Sequence, residues 1–365
     1  MSGRRIALVA SARFPIAEPF AGGLEAQVWA LADGLRRRGH AVTLFAGPGS
    51  DALPGVEAFD LRRPQVSDSA RADVSMSAPR WLEEHHAYLD LMLRLSNGRA
   101  GTFDVVHNHS LHHLPIAMAA TLPMPLLTTL HTPPTPWLES AIEIAGGDAG
   151  EFAAVSAQTA RAWRHLLPDA RVVHNGVDAS RWKAGPGGGP AVWFGRIAPE
   201  KGTHLAIEAA VRADLPLLIA GPIADRDYHA AEVRPRLHAA PRVSYVGHLD
   251  HDALAQLVGA ASTVLVTPRW DEPYGLVVAE ALACGTPVCA FARGGLPEVL
   301  GEGCGLLVAP DDVAALARAM SDAPLLSRAT ARRHAVEHCS LEHTIARYER
   351  VYDELATRAE PLAAA

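Results

Sequence analysis

Midway along the chain the sequence reads KAGPGGGP (Lys183–Pro190), a run in which Gly and Pro leave room for neither a helix nor a central strand. The same alternation lies on both sides of it. Short apolar runs rich in Val, Leu and Ile are separated by amphipathic stretches, the pattern of βα units wound around a parallel sheet. Before the break, strands are predicted at 6–10, 42–46, 104–107, 126–130, 151–155 and 171–173, with helices over 24–38, 79–96 and 157–167. After it, strands are predicted at 191–194, 217–220, 243–246, 264–266, 288–291 and 305–308. The chain therefore reads as α/β, with two doubly wound halves over 1–182 and 183–340. A tail over 341–365 opens with a polar, charged helix (341–355) that is expected to pack back on the first half.

A length of 365 residues suits two cores, and two cores leave a cleft between them. With 49% hydrophobic and 20% charged residues the composition is that of a globular protein. The net charge of −7 argues against nucleic acid as the main partner, because binding a run of phosphates needs a basic excess. Cys284, Cys289, Cys304 and Cys339 contain no C-x-x-C pair, which fits reduced thiols in a cytoplasmic protein better than a disulfide frame or a zinc site. The opening MSGRRIALVASARF holds an apolar run too brief for a signal peptide or a membrane span. It reads as the first strand.

Ligands of open α/β sheets sit at the carboxyl ends of strands, so the residues that follow each strand carry the chemistry. After the strand ending near Val266 comes RWDEPYGLVVAEALACGTPV (Arg269–Val288), which passes through a Pro-containing turn into a helix. Glu272 falls on the turn and Glu280 on the helix, roughly 12 Å apart at 1.5 Å per helical residue. That span suits the two ends of a sugar nucleotide and is too wide for the acid and nucleophile of an ordinary glycosidase. FGRIAPEKG (Phe194–Gly202) places Arg196 and Lys201 on one loop, where fixed cations could neutralise a diphosphate leaving group. In FAGGLEAQVWALADGLRRRGH (Phe20–His40), Gly22 and Gly23 precede an amphipathic helix, a setting in which backbone can approach a phosphate. VVHNHSLHH (Val105–His113) and TTLHTPPTPW (Thr128–Trp137) bring His109 and His131 to strand ends. No carboxylate or thiolate stands beside these histidines at ligand spacing, so a metal centre is not expected.

The Glu272–Glu280 spacing and the residues around it resemble the E-x7-E signature of glycosyltransferase family 4, and the other motifs extend the resemblance over nearly the whole chain. The resemblance implies a GT-B fold, with two Rossmann-like domains facing a cleft, and a retaining transfer that needs no divalent metal and no cofactor beyond the sugar-nucleotide co-substrate. By likeness, Arg196 and Lys201 hold the donor diphosphate, Glu272 the sugar hydroxyls and Glu280 the ribose, and His131 contacts the sugar near its reacting carbon. Tyr274, Gly275 and Leu276 share the donor segment, and Gly22–Gly23 resembles the family's GGxE loop. YVGHLD (Tyr245–Asp250) occupies the place of the nucleobase contacts, through Gly247, His248 and Leu249. GGLPEV (Gly294–Val299) is another Gly loop preceding a helix, expected near the diphosphate or the donor sugar. HNGVD (His174–Asp178), with Asn175, resembles the end of the first domain, and His109 and Asn175 are candidates for the acceptor side of the cleft.

UDP and GDP donors both remain open, as does the acceptor, whether sugar, lipid or small molecule. A sugar-nucleotide epimerase and a non-catalytic sugar-nucleotide-binding protein are the rival readings. The tripeptide DRD (Asp225–Asp227) follows a strand in a polar loop and reads as a solvated turn. No G-x-G-x-x-G follows the first strand, and neither a Walker loop nor a G-x-S-x-G elbow occurs. The helix over 79–96 carries Trp81, Leu82, Tyr88 and Leu91 beside Arg80 and Arg94, compatible with peripheral membrane contact, although core packing is the simpler explanation.

Overall fold

The computed structural model describes residues 3–50, 53, 56–62, 65–75 and 78–363. The first half builds a seven-stranded parallel sheet in the order β3-β2-β1-β4-β5-β6-β7. Its strands are β1 (Arg5–Val9), β2 (Ala41–Ala46), β3 (Val56–Asp60), β4 (Val105–Asn108), β5 (Leu126–Leu130), β6 (Glu151–Ala154) and β7 (Arg171–Val172). The second half builds a six-stranded parallel sheet in the order β10-β9-β8-β11-β12-β13. These strands are β8 (Ala191–Phe194), β9 (Leu217–Ala220), β10 (Val243–Gly247), β11 (Val264–Val266), β12 (Val288–Phe291) and β13 (Gly305–Val308). The longer helices are α1 (Gly23–Arg37), α2 (Pro79–Ser96), α3 (Pro136–Ala145), α4 (Ala157–Trp163), α5 (Thr203–Ala213), α6 (His251–Ala260), α7 (Leu276–Ala283), α8 (Val313–Asp322), α9 (Arg328–His338) and α10 (Leu341–Ala363).

Both central strands are buried on both faces, as sheets covered by helices on each side require. Ile6 and Leu8 of β1 join one apolar cluster while Ala7 and Val9 join another, so alternate side chains serve opposite helix layers. In the second sheet Val192 and Trp193 divide in the same way. Helix starts carry their caps: Ser156 accepts from Thr159 N–H at 2.9 Å, Asp250 from Ala253 N–H at 2.8 Å and Asp312 from Ala315 N–H at 2.8 Å. Asp225 of the DRD tripeptide does the same for Tyr228 N–H at 2.8 Å. The edge strand β3, where the apolar pattern predicts no strand, lies beside segments outside the described residues.

Helix α10 returns from the second half to the first. Its apolar stripe of Leu341, Ile345, Tyr348, Val351, Tyr352 and Leu355 belongs to the core of the first sheet, at the spacing of one helical face. The return crosses the connection between the sheets at Val177, whose N–H donates to Cys339 O at 2.8 Å and whose carbonyl accepts from Leu341 N–H at 3.1 Å. On α9, the Arg332 guanidinium donates to Ala179 O at 2.8 Å, to Trp182 O at 2.5 Å and to Ala283 O, tying the connection to the end of α7. Tyr88 and Leu91 of α2 are buried in the core, while Trp81 is 37% exposed. No helix among the described residues is long and apolar enough to cross a membrane. All four cysteines are free and buried.

Gly176 sits where the crossing is tightest, because a Cβ there would lie 2.6 Å from the Leu341 backbone. Backbone cannot yield as a side-chain tip can, so Gly176→Ala is expected to destabilise the protein by about 1–3 kcal/mol. Urea unfolding followed by circular dichroism measures this, and a midpoint equal to that of the parent chain would contradict it.

Candidate active site

Each parallel sheet has one place where the order of connection reverses, between β1 and β4 in the first half and between β8 and β11 in the second. Loops leaving neighbouring strands in opposite directions open a crevice there. The two crevices face one another across a cavity of about 390 Å³. Gly22, Gly23, His131 and Asn175 of the first half line it, with Arg196, Lys201, His248, Leu249, Glu272, Tyr274, Gly275, Leu276 and Glu280 of the second.

The loop after β8 is drawn to the loop after β11 by an ion pair, Lys201 Nζ to Glu272 Oε2 at 2.7 Å. Trp270 Nε1–H donates to the same oxygen at 3.0 Å, and its ring lies 5.3 Å from Lys201 Nζ. Both donors use Oε2, which leaves Oε1 for a ligand. Gly202 permits this approach: it adopts φ +63°, and a Cβ there would lie 2.1 Å from Thr267 O. Gly294 serves the other side of the turn, where a Cβ would lie 2.2 Å from Glu272 O, and Gly295 N–H donates to that carbonyl at 2.7 Å. The GGLPEV loop thus seats the turn that carries Glu272.

Arg196 faces the first half. A Cβ on Gly22 would come within 3.7 Å of Arg196 Nε, and one on Gly23 within 3.0 Å of Leu276 Cδ1, so the Gly-Gly loop closes directly on the second half. Glu25, on the first turn of α1, is buried beside them, and burial raises its carboxyl pKa against the pull of the Arg196 charge. Gly275 caps α7 at φ +98°, its carbonyl accepting from Val278 N–H at 2.9 Å, and Gly275, Leu276 and Val277 line the cavity.

His131 follows β5 and is held from behind. Its Nε2 meets His109 Nδ1 at 2.9 Å, and His109 Nε2 meets His107 Nδ1 at 3.2 Å. His107 in turn contacts Tyr352 Oη at 2.7 Å and Thr129 Oγ1 at 2.8 Å, and Thr129 contacts Tyr348 Oη at 3.0 Å. Helix α10 therefore anchors the ring that reaches the cleft. Burial pushes the His131 pKa down to about 3, so the ring is neutral at pH 7, with Nδ1 left for a ligand.

Two sequence-based placements are corrected. His109 is completely buried behind His131, so it braces that residue and does not form the acceptor wall. Gly247 also lies off the cavity lining, its carbonyl taken by Gly221 N–H at 2.8 Å, whereas His248 and Leu249 do line it. Several lining residues were not foreseen. Trp270 lies inside the donor segment and Glu25 is the acid of the GGxE loop, but neither was singled out, and Gln27 looked like an ordinary residue of an amphipathic helix. Gln27 is 2% exposed, and both its amide atoms lack a hydrogen-bond partner, as do Thr132 Oγ1 and Asn175 Oδ1 on the same cavity. Arg181 stacks 4.6 Å over Trp29 and pairs with Glu18 at the rim.

Glu280, half-buried on α7, has its pKa pushed up to about 8 by burial. A carboxyl raised from 4.5 in the open chain to about 8 in the native state favours folding in its protonated form. Its contribution is full below the lower value and is lost as pH rises through the upper one. The stability of Glu280→Gln relative to the parent chain is therefore expected to rise between pH 4.5 and pH 8. Parallel thermal melts across that range check it, and a constant difference would refute it.

The comparisons with known proteins agree with this geometry. Residues 21–181 match the family described as Glycosyltransferase Family 4, and residues 188–335 the one described as Glycosyl transferases group 1. The chain is 30% identical to glycogen synthase of Mycobacterium tuberculosis over 85% of each chain. It is 31% identical to D-inositol 3-phosphate glycosyltransferase of Mycolicibacterium paratuberculosis, over 97% of this chain and 92% of that one. The solved structure of Anabaena HepE in complex with UDP-glucose shares the fold with a TM-score of 0.73 at 19% identity, over 96% of this chain and 100% of that one. With both halves matched and relatives aligned along most of its length, the protein belongs to glycosyltransferase family 4, the GT-B enzymes that draw on sugar-nucleotide donors.

Proposed function

We propose that this enzyme moves a hexosyl-type sugar from a nucleoside diphosphate to an acceptor with retention of anomeric configuration and without a catalytic metal ion. The observation that carries the reading is the placing of Arg196 and Lys201 on one loop of the cavity, with Glu272 held by Lys201 at 2.7 Å. A departing diphosphate gathers negative charge, and fixed cations stabilise it without the reorganisation that water would need. In the donor complex Lys201 shares its charge between Glu272 and a phosphate oxygen, and Arg196 takes the other side. Glu272 Oε1 accepts from the sugar hydroxyls, His131 supports the sugar near its reacting carbon and Glu280 accepts from the ribose. His248 and Leu249 border the base.

Acceptor attack comes from the face the leaving group departs, through an oxocarbenium-like state, with the leaving phosphate oxygen taking the acceptor proton. The bond from the anomeric carbon to phosphate breaks, the bond to the acceptor oxygen forms, and the proton leaves with the nucleoside diphosphate. The likeness to HepE favours a UDP-linked donor. The relatives named above make polyhydroxylated acceptors the first to test, with the first half as their seat.

Arg196→Ala and Lys201→Ala are each expected to lower kcat by about 10²–10³-fold while the melting temperature stays near that of the parent chain. Release of nucleoside diphosphate in the presence of a chelator, with the product anomer read by NMR, measures this. Parallel loss of folding and activity, a chelator-sensitive rate or an inverted product would each defeat the proposal. Epimerised sugar nucleotide from donor alone would support the rival epimerase reading.

A further inference from the structure

Just outside the cleft, His112 and His113 at the end of the loop after β4 meet His85 of α2. A ligating atom from each of the three side chains lies within 4.8 Å of the others. We propose that His85, His112 and His113 form a binding site for a divalent transition metal ion of the zinc type. Imidazole nitrogen suits zinc and its first-row neighbours, whereas calcium and magnesium require oxygen ligands.

The rings are flanked by aromatic neighbours, and His112 and His113 also stack on each other at 4.4 Å, so one of the two turns when both meet an ion in their ring planes. His85 stacks on Trp81 at 5.1 Å, His112 on Tyr88 at 4.6 Å and His113 on Trp137 at 5.1 Å. Tyr88 is itself fixed, since its hydroxyl donates to Ala10 O at 2.9 Å and accepts from Ala12 N–H at 2.8 Å. The second observation is at His85, whose Nδ1 is buried without a hydrogen-bond partner, a state that costs free energy unless something supplies one. Glu84, next to His85 in the sequence, is engaged by Arg13 at 3.2 Å and Arg80 at 3.5 Å. The cost falls on His112, whose Nδ1 accepts from Leu114 N–H at 3.2 Å. Ligation through that nitrogen exchanges this bond for one to the metal, and ligation through Nε2 requires the other tautomer.

The three histidines do not line the donor cavity, although Leu111 and Arg13 beside them do. The ion would pin α2 to the loop after β4 at the cleft rim and take no part in the transfer step. The site escaped the sequence reading because its third ligand lies on another element.

The test uses the full chain stripped of metal and titrated with ZnCl₂ and CoCl₂. One equivalent of Zn²⁺ is expected, with a ligand-field absorption band for Co²⁺ and quenching by Co²⁺ of the emission of Trp81 and Trp137, which flank the site. His85→Gln and His113→Gln are expected to weaken binding at least about tenfold, whereas His338→Gln on α9 leaves it unchanged. Anomalous scattering from zinc-soaked crystals of the parent chain gives a measurement that no variant's folding can confuse. An ion among the three rings supports the proposal. Absence of stoichiometric binding, an ion located elsewhere, or unchanged affinity in both folded variants overturns it.

Discussion

Lys201 and Glu272 meet at 2.7 Å because two loops leave neighbouring strands at the point where the second sheet reverses its order of connection. That contact is electrostatic, but it exists for a topological reason. A right-handed βα chain that winds outward in both directions from a central pair of strands must leave a gap above that pair. Whatever stands on the two flanking loops then faces the gap. The ammonium and carboxylate are separated by 71 positions in sequence and brought together by the register of β8 against β11.

The same geometry explains why the first half contributes so little charge and so much shape. Its own reversal point, between β1 and β4, presents Gly22 beside Arg196 and Gly23 where a Cβ would press on Leu276 at 3.0 Å. The charged groups of its rim are mostly spent on each other, as in Arg37 with Asp33 and Asp178, and Arg181 with Glu18. Amide and hydroxyl atoms on Gln27, Thr132 and Asn175 line the same cavity without hydrogen-bond partners. Such atoms are costly in a buried wall.

Helix α10 joins these features. It takes up the open face of the first sheet, and its Tyr348 and Tyr352 end a hydrogen-bonded chain that runs through Thr129, His107 and His109 to His131. The helix that closes the core is therefore also the support of a ring in the cleft. Its crossing beside Gly176, together with the Arg332 bonds to the inter-sheet connection, links the angle between the halves to the packing of the C-terminal segment.

By sequence alone, the α/β class, the break between two winding series and the charged residues at the strand ends that line the cavity were legible. Parallel strands buried on both faces are written as apolar runs, and residues that follow a strand must gather at one edge of a sheet. Arg196, Lys201, Glu272 and Glu280 were found on that rule. Tertiary structure alone decided which of the histidines reaches the cleft, because His109 and His131 both follow a strand and differ only in what stands in front of them. It also decided that Trp270 shares Oε2 of Glu272 with Lys201, and that His85 joins His112 and His113. These are meetings between elements remote in sequence, set by packing angle and register. Local composition carries no record of either.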